Sequence, residues 1–375
     1  MKVSNFSGLG LLAVLASSKV QAQVIKPLEP VNGTGVVQIG LYRDDDKSYH
    51  ILNGTMFSFY GQTYNGLTVS TNGTIIFGNT SYFTSNPNNT PLPRGTFPGL
   101  WVAQDDWIQP DIAAVPKGYM YYKIYADGIA ITWVNMRHSP SINGGPTNTF
   151  QAYLYNNGDI AFGYDDLNKV DKFVVGINKG DASNYSSVFG TNSGQTAFND
   201  TNLAWISKTS YLFQYNSGQY GSNVLGGVPI SGTLNFEEID PGASAQSVVF
   251  ALRPVGSTAS FNKAASVSAN GLYQLNDLPR KQYVVHIKGL KYLATNVNVN
   301  ATTGGVTGVN ALLRAGDSDD DNFCDVIDLS NLIAAFGTLS GDPNFSADAD
   351  FNSDGSVDVL DFDLLVRNFG VQGDE

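Results

Sequence analysis

An acidic segment of twelve residues occurs twice in the C-terminal part of the chain. It reads DSDDDNFCDVID at residues 317–328 and DFNSDGSVDVLD at residues 350–361. An offset of 33 residues aligns the copies, and each then carries an oxygen-bearing side chain at positions 1, 3, 5, 9 and 12. A merely solvated acidic tail would not keep this register twice, so the repeat indicates two folded loops.

The spacing of these side chains predicts two calcium-binding loops. Calcium takes about six to eight oxygen ligands, which a twelve-residue loop supplies from positions 1, 3, 5, 9 and 12 and from the main-chain carbonyl of position 7. The predicted ligands are Asp317, Asp319, Asp321, Phe323, Asp325 and Asp328 in the first loop and Asp350, Asn352, Asp354, Ser356, Asp358 and Asp361 in the second. We therefore expect two Ca²⁺ ions.

The two loops differ at positions 4 and 6. Position 6 makes a sharp turn, and it is Gly355 in the second loop but Asn322 in the first. Asparagine is among the few other residues that tolerate the left-handed backbone region. Position 12 is Asp in both loops rather than the longer Glu, which predicts a lower affinity. The first loop has an additional acid, Asp320, at position 4 with no assigned role.

Each loop leads directly into an apolar pattern with helical spacing. The apolar residues are Leu329, Leu332, Ile333 and Phe336 in the first unit and Phe362, Leu365, Val366 and Phe369 in the second. Glycine stands at the C-terminal end of both patterns,. The sequence predicts two loop–helix units packed face to face as a pseudo-twofold pair, which calcium should order because its binding energy becomes folding energy.

Residues 315–375, with two such half EF-hands, resemble a type I dockerin. The resemblance implies a cohesin-like partner, bound through positions 10 and 11 of the loops, here Val326, Ile327, Val359 and Leu360. Well-studied dockerins often carry Ser and Thr at these positions, so the apolar pairs depart from the family pattern. Two interpretations stay open: the pairs bind a partner, or they pack on the neighbouring domain and the tail is an intramolecular clasp.

The distribution of charged and reactive residues limits the classes of function. The net charge is −12, and residues 315–375 hold 14 Asp and one Glu against a single arginine. The sequence lacks a cluster of lysine and arginine residues of the kind that binds phosphates, which argues against a nucleic-acid partner. One cysteine, Cys324, excludes an internal disulfide,. The three histidines lie far apart in sequence, which leaves little for histidine chemistry.

The first 22 residues have the pattern of a secretory signal peptide. Lys2 precedes an apolar stretch, and Val20-Gln21-Ala22 forms a small-residue cleavage pattern,. No later stretch approaches the 18 apolar residues of a membrane-spanning helix,. We expect a secreted, extracellular protein without a transmembrane anchor, with association to a cell surface left open.

Residues 23–215 alternate apolar and polar residues around short turns. Asn72-Gly73, Asp127-Gly128 and Asn157-Gly158 each separate two alternating runs, which predicts three β-hairpins with two-residue turns,. The motifs GLTVSTNGTIIFG at 66–78, PGLW at 98–101, DDW at 105–107 and TFQAYLY at 149–155 resemble the extracellular nidogen-like β-sandwich. That resemblance implies adhesion, a matrix or glycan ligand, and no catalysis.

Two further segments precede the acidic module. Residues 216–227 are rich in Gly, Ser and Asn, which predicts a linker,. Residues 228–314 alternate in about seven runs, with a hairpin predicted at Asn270-Gly271, which favours a small sandwich of immunoglobulin or transthyretin type,. The run GLYQLNDLP at 271–279 resembles carboxypeptidase-regulatory-like domains. The predicted fold class is mainly β, with two tandem β-sandwiches followed by a small α-helical double half-EF-hand module.

These patterns favour a secreted, non-enzymatic adhesion, matrix or surface-assembly protein that docks through its tail. The alternative is a component of an extracellular polysaccharide-degrading complex that carries a carbohydrate-binding or glycoside-hydrolysing module. Asp105 and Asp106, between Trp101 and Trp107, are the candidate carboxylate pair for that chemistry,. Neighbouring strand residues point to opposite faces, so we assign no catalytic residue.

Overall fold

The computed structural model describes residues 25–375 except 41–44, 53, 81–91, 93–96, 110–116, 140–144, 166, 169–172, 182, 189, 192–196, 199–202, 242 and 244. The predicted signal peptide, residues 1–22, lies outside the described residues. None of the helices in the described part is long and apolar enough to span a membrane.

The first domain is built from β-strands. Within the described residues these are β1 (Val36–Ile39), β2 (Lys47–Ile51), β3 (Phe57–Phe59), β4 (Gln62–Tyr64), β5 (Gly66–Ser70), β6 (Thr74–Phe77), β7 (Gly99–Gln104), β8 (Trp107–Ile108), β9 (Tyr119–Tyr125), β10 (Gly128–His138), β11 (Asn148–Tyr155), β12 (Ile160–Tyr164), β13 (Phe173–Asn178), β14 (Tyr185–Ser187), β15 (Gly190–Thr191), β16 (Ala197–Phe198), β17 (Ser210–Asn216) and β18 (Gln219–Val224). A short 3₁₀ helix, Leu203–Trp205, precedes β17.

These strands form two large sheets and a small hairpin. One sheet has the order β1-β9-β10-β11-β12-β17-β18, with β8 paired to β10. The other has the order β15-β14-β13-β7-β6-β5-β2, with β16 paired to β13, while β3 and β4 pair separately. The indole N–H of Trp133 donates to the carbonyl of Ser70 in the opposite sheet at 3.0 Å. Trp133 is itself fully buried, so the sheets enclose an aromatic core, as expected of a sandwich,.

The three predicted hairpins form, but their turns differ from the prediction. In the hairpin predicted at Asn72-Gly73, Val69 pairs with Ile75, so three residues lie between Ser70 and Thr74. Gly73, the last of the three, has φ 72°. The Asn157-Gly158 turn likewise spans three residues, with Gly158 at φ 91°. In these loops the glycine alone takes the left-handed position, the geometry that follows a type I turn. The hairpin predicted at Asp127-Gly128 turns one residue earlier, at Ala126-Asp127, because Tyr125 pairs with Gly128.

The prediction of a linker at residues 216–227 is wrong for most of these residues. Residues Gln219–Val224 form β18, which pairs with β17 around a Ser217-Gly218 turn. Tyr220 on this strand is fully buried, and Ser186 donates its hydroxyl to the Tyr220 carbonyl. A polar, glycine-containing segment can serve as an edge strand because one anchoring side chain and the backbone ladder suffice to hold it.

The second domain is a small sandwich of seven strands in the described chain. They are β19 (Val228–Phe236), β20 (Val248–Pro254), β21 (Phe261–Lys263), β22 (Leu272–Leu278), β23 (Gln282–Gly289), β24 (Thr295–Asn300) and β25 (Ala311–Leu313). The sheets have the orders β22-β19-β25 and β21-β20-β23-β24. The predicted hairpin at Asn270-Gly271 is wrong, because the strands before and after this turn belong to different sheets.

The first two domains meet without a free linker between them. Both carboxylate oxygens of Asp277 accept the backbone N–H of Val224, at 2.9 and 3.0 Å. On the same junction the Lys281 ammonium donates to the carbonyl of Ser207 at 2.6 Å. The middle sandwich is therefore hydrogen-bonded to the first domain through side chains that the linker prediction did not anticipate.

The C-terminal module contains two α-helices, as predicted. They are α1 (Val326–Ala335) and α2 (Val359–Asn368), and each follows one of the acidic loops. Leu332 and Leu365 from the predicted apolar patterns are fully buried. The remaining members of the patterns are half-buried or exposed, so the predicted face-to-face packing involves a narrower stripe than the sequence suggested.

Candidate calcium centre and docking face

The acids at positions 9 and 12 fix where each helix begins. Asp325 is the N-cap of α1 and accepts the N–H of Ile327 at 2.7 Å, while the N–H of Asp325 donates to Asp328 at 2.7 Å. Asp358 and Asp361 form the same reciprocal capping box at the start of α2. An acid at these positions satisfies helix N–H groups and complements the helix dipole. The loop ends are thus positioned by the helices that follow them.

Main-chain hydrogen bonds tie each loop to the helix of the other unit. Gly370 N–H donates to the Cys324 carbonyl at 2.8 Å, and Gly337 N–H donates to the Val357 carbonyl at 2.8 Å. Each donor and acceptor in the first bond lies 33 residues from its counterpart in the second. Cys324 and Val357 are both fully buried. This reciprocity agrees with the pseudo-twofold arrangement predicted from the repeat.

The first loop brings its acids together around one point. One carboxylate oxygen from each of Asp317, Asp319 and Asp321 lies within 4.8 Å of the other two. Asp317 Oδ2 accepts the N–H of Asn322 at 3.1 Å, whereas Asp317 Oδ1 is buried and has no hydrogen-bond partner among the described residues. A buried carboxylate oxygen left unpaired is costly unless a cation binds it. The donor set and this oxygen fit a calcium ion.

Backbone N–H groups also orient the position-12 acid of each loop. Asp328 is fully buried and accepts the N–H of Ser318 at 2.6 Å through Oδ1, besides that of Asp325 through Oδ2. Asp361 is equally buried and accepts from Asn352 at 3.2 Å and from Asp358 at 2.9 Å. Each carboxylate keeps further lone pairs, so these bonds position it without using up its capacity as a ligand.

The second loop repeats this arrangement with fewer acids. Asp350 accepts the N–H of Asp354 at 3.2 Å and that of Gly355 at 3.0 Å. Asp354 in turn accepts the N–H and the hydroxyl of Ser356, at 2.8 and 2.6 Å. Gly355 has φ 89°, the conformation expected of the sharp turn at position 6, and Asn322 has φ 69° in the first loop. The asparagine therefore substitutes for glycine as predicted.

Several loop aspartates have a pKa shifted from the ordinary aspartate value. Burial raises the pKa of Asp317, Asp350 and Asp361 above the ordinary aspartate value. Partial burial and the neighbouring charge of Asp321 raise the pKa of Asp319. By contrast, the hydrogen bond from Ser356 lowers the pKa of Asp354. A bound divalent cation would stabilise the ionised form of all these groups.

Two lysines of the middle sandwich reach into the loops, which sequence analysis missed. Lys288 Nζ lies 2.9 Å from Asp317 Oδ2 and 2.5 Å from Asp320 Oδ1. Lys291 is buried and donates to the Asp350 carbonyl and to Ser353 Oγ, the latter at 2.7 Å. These contacts bridge many residues of sequence, and no local spacing signals them. They assign a partner to the unexplained acid Asp320.

Further contacts join the module to the middle sandwich. Asp240 N–H donates to the Asn352 carbonyl at 2.7 Å, and Ala294 N–H donates to Asn322 Oδ1 at 2.8 Å. The acid loops therefore rest on the middle sandwich, and α2 contacts it as well, because Arg367 forms an ion pair with Glu238 at 2.5 Å. The four residues predicted to bind a partner are all exposed.

The two helices display an exposed apolar surface, which we call the docking face. It comprises Val326, Ile327, Ile333, Phe336, Val359, Leu360, Phe362, Val366 and Phe369, all exposed. Val326 and Val359 are 61% and 64% exposed. The interpretation in which the position-10 and position-11 pairs pack on the neighbouring sandwich is therefore wrong. Three residues of α1 and its C-cap residue, Phe336, have an exposed counterpart 33 positions later. The docking face thus shares the pseudo-twofold relationship of the loops.

The candidate carboxylate pair in the first domain does not form a site. Asp105 is fully buried, as are Trp101 and Trp107 on either side, and Asp106 is half-buried. Asp105 Oδ2 lies 3.4 Å from Nε2 of His138 inside the domain. Tryptophans inside a core cannot form a platform for a sugar ring, so sugar cleavage by this pair is not supported.

Fold and site together define a modular, mainly β protein that ends in a module of two acidic loop–helix units. Residues 315–370 match the model of the type I dockerin domain, a calcium-binding family. Residues 21–220 match the family model described as NIDO related. That match covers more than half of the chain, so the protein belongs to the NIDO-related family.

Related proteins share a part of the chain. The cellulosomal-scaffolding protein B of Acetivibrio thermocellus is 26% identical over 113 residues, which cover 28% of this chain and 14% of that protein. The cellulosomal-scaffolding protein A of the same species is also 26% identical over 113 residues, covering 6% of its length. The chain thus spans far less than two thirds of these curated relatives.

Solved structures also match in part. A crystal structure of a type II Cohesin-X-Dockerin complex from Acetivibrio cellulolyticus, an N-terminal interface mutant, is 25% identical with a TM-score of 0.33. It covers 39% of this chain and 97% of that chain. A C-terminal interface mutant of the same complex is 24% identical with a TM-score of 0.34 and the same coverage.

Proposed function

We propose that this protein is a non-catalytic component of an extracellular, cellulosome-like assembly and that its C-terminal module attaches it to a cohesin partner. The observation that carries the proposal is the docking face on α1 and α2. It belongs to a segment that matches the type I dockerin domain, and the related proteins are named as cellulosomal scaffolds. Of the two functions considered from sequence, the component of a complex is better supported.

The chemistry of the docking face favours a protein partner. Nine large apolar side chains are exposed on two short helices and their C-caps, and a concentration of exposed apolar side chains marks interaction sites. Aliphatic and phenylalanine side chains, with few charges among them, resemble the core of a protein interface. A matched apolar surface on a cohesin would remove these side chains from water.

Two calcium ions, one in each loop, would stabilise the docking face. The loops end in the capping boxes that begin α1 and α2. A loop that loses its shape therefore loses the start of its helix as well. We expect calcium to be required for docking because ion binding and folding are coupled in such modules.

The adhesion and matrix function finds no support beyond membership of the NIDO-related family. No matrix or glycan ligand is indicated by the relatives, and Trp101 and Trp107, which flank the candidate carboxylate pair, are buried. We therefore treat the first domain as the part that the docking module brings into the assembly. Secretion through the predicted signal peptide agrees with this location.

A direct test measures binding of the full chain to isolated cohesin modules. The chain is immobilised, and type I and type II cohesins from scaffolding proteins of the source organism are passed over it, in calcium and again in EDTA. Binding of one cohesin in calcium alone supports the proposal. If no cohesin binds while calcium still raises the melting temperature of the chain, calcium only stabilises the C-terminal module, and the docking proposal is contradicted.

A further inference from the structure

The two lysines of the middle sandwich contact equivalent positions of the two calcium loops. Lys288 contacts Asp317 and Asp320, which are positions 1 and 4 of the first loop. Lys291 contacts the carbonyl of Asp350 and the hydroxyl of Ser353, positions 1 and 4 of the second. The middle sandwich thus places one ammonium group against each loop.

The chemistry of these two contacts differs. Lys288 binds two carboxylates, whereas Lys291 binds the carbonyls of Ala347 and Asp350 and the hydroxyl of Ser353 and has no ion pair with an acid among the described residues. The first loop carries six acids between residues 317 and 328, and the second carries four between residues 350 and 361. Each loop therefore has one lysine against it, but only the lysine at the more negatively charged first loop binds carboxylates directly.

Lys288 leaves the inward-facing ligand oxygen free. It binds Asp317 Oδ2, which also accepts the N–H of Asn322, while Asp317 Oδ1 is buried and finds no hydrogen-bond partner in the described part of the chain. The Lys288 side chain is held in place by its own hydrogen bond to the Gly289 carbonyl at 2.9 Å. The ammonium can thus stay bound when calcium arrives, and its charge then opposes that of the ion.

We propose that Lys288 is a built-in counter-ion of the first calcium loop. It compensates the repulsion among the acids without calcium, which preserves the shape of the loop, and it lowers the calcium affinity of that loop. Asp320 binds Lys288 and is not a calcium ligand. Through this residue the middle sandwich sets the calcium concentration at which the first loop is filled.

The test is a calcium titration of the full chain by isothermal calorimetry, with the second loop inactivated by Asp354→Ala in every variant. Lys288→Met should raise the calcium affinity of the first loop about tenfold, since charge count sets affinity in such loops. Lys288→Arg, which keeps the charge, should leave the affinity near that of Lys288. Lys263→Met removes a charge elsewhere on the same domain, in β21, and should have no effect. An unchanged or lower affinity in Lys288→Met overturns the proposal.

Two further measurements keep the proposal testable. In EDTA, Lys288→Met should lower the melting temperature of the module, and excess calcium should restore it. Asp320→Asn should change the affinity of the first loop less than about threefold, whereas Asp319→Asn, which removes a ligand, should reduce it about tenfold or more. Equal losses of calcium affinity in these two variants would show that Asp320 is a calcium ligand and would contradict its assignment as the partner of Lys288. Calcium is the only probe used, so the outcome is independent of cohesin docking.

Discussion

The N–H of Gly370 donates to the carbonyl of Cys324 at 2.8 Å and so joins the end of the second helix to the first calcium loop. The pair Gly337 and Val357 makes the reciprocal bond. Each loop is therefore supported by the opposite helix as well as by its own. Loss of either loop should weaken both halves of the module, which makes calcium binding and the integrity of the docking face inseparable.

Asp361→Asn tests the role of the position-12 acid. The fully buried carboxylate accepts two backbone N–H groups and is a predicted calcium ligand. We expect the calcium affinity of the second loop to fall at least tenfold and the unfolding free energy in calcium to fall by about 1–3 kcal/mol. Calorimetric titration and thermal melting measure the two effects.

Asp363→Asn, on the exposed side of the same helix, is the matched control. It is a surface partner of Arg367 and should change calcium affinity less than about twofold,. Equal losses of affinity in both variants would mean that overall charge, and not ligation at position 12, governs calcium binding.

Leu365→Ala and Val366→Ala test which residues form the core of the module. Leu365 is fully buried, whereas its neighbour Val366 is 53% exposed. Truncation of the buried leucine should destabilise the module by about 2–5 kcal/mol. Truncation of the exposed valine should change stability by no more than about 0.5 kcal/mol. Urea denaturation in calcium measures both, and a large loss in Val366→Ala would mean that this side chain packs inside the protein.

Lys281 should make the stability of the junction between the first two domains depend on pH. Burial lowers the pKa of Lys281 to about 8, below its unfolded value of about 10.4,. Between these values the unfolded chain binds more protons than the folded chain, so the contribution of this group to stability rises with pH, by at most about 1.4 kcal/mol per unit.

The variant Lys281→Met isolates this effect. The difference in unfolding free energy between the wild type and the variant should change steadily from pH 8 to pH 10, with the wild type gaining relative to the variant. Denaturation at fixed calcium concentration measures it. Parallel pH profiles for the two proteins would show that the lysine is not desolvated at the junction.

The local features of the calcium module were predictable from the sequence. The repeat of acids at fixed positions places both loops, and the acids at positions 9 and 12 cap the helices that follow. Hairpins were predictable for the same reason, since alternation and a glycine turn act within a few residues. The exact turn was not, because Gly73 fits two loop lengths and the register of the whole sheet decides between them,.

Features that depend on distant residues were not predictable. The segment with Tyr220 has the composition of a linker. It forms a strand because it pairs with β17 and because Ser186 of the opposite sheet donates a hydrogen bond to its backbone. The apolar spacing of Ile333 and Phe336 suggested burial, although both are exposed, because periodicity cannot distinguish a core from a binding surface,. Lys288 and Lys291 reach their loops through tertiary contacts alone.

The central claim is that the exposed apolar face of α1 and α2 binds a cohesin in the presence of calcium. The most direct measurement compares the cohesin affinity of the full chain with that of the double variant Ile333→Lys/Val366→Lys. Both side chains are exposed, and lysine near a helix C-terminus is compatible with the helix dipole, so the fold should persist,. Leu312→Lys, an equally exposed position in β25, is the control. We predict a loss of about 100-fold or more in the double variant and none in the control; undiminished binding by a correctly folded double variant would contradict the account.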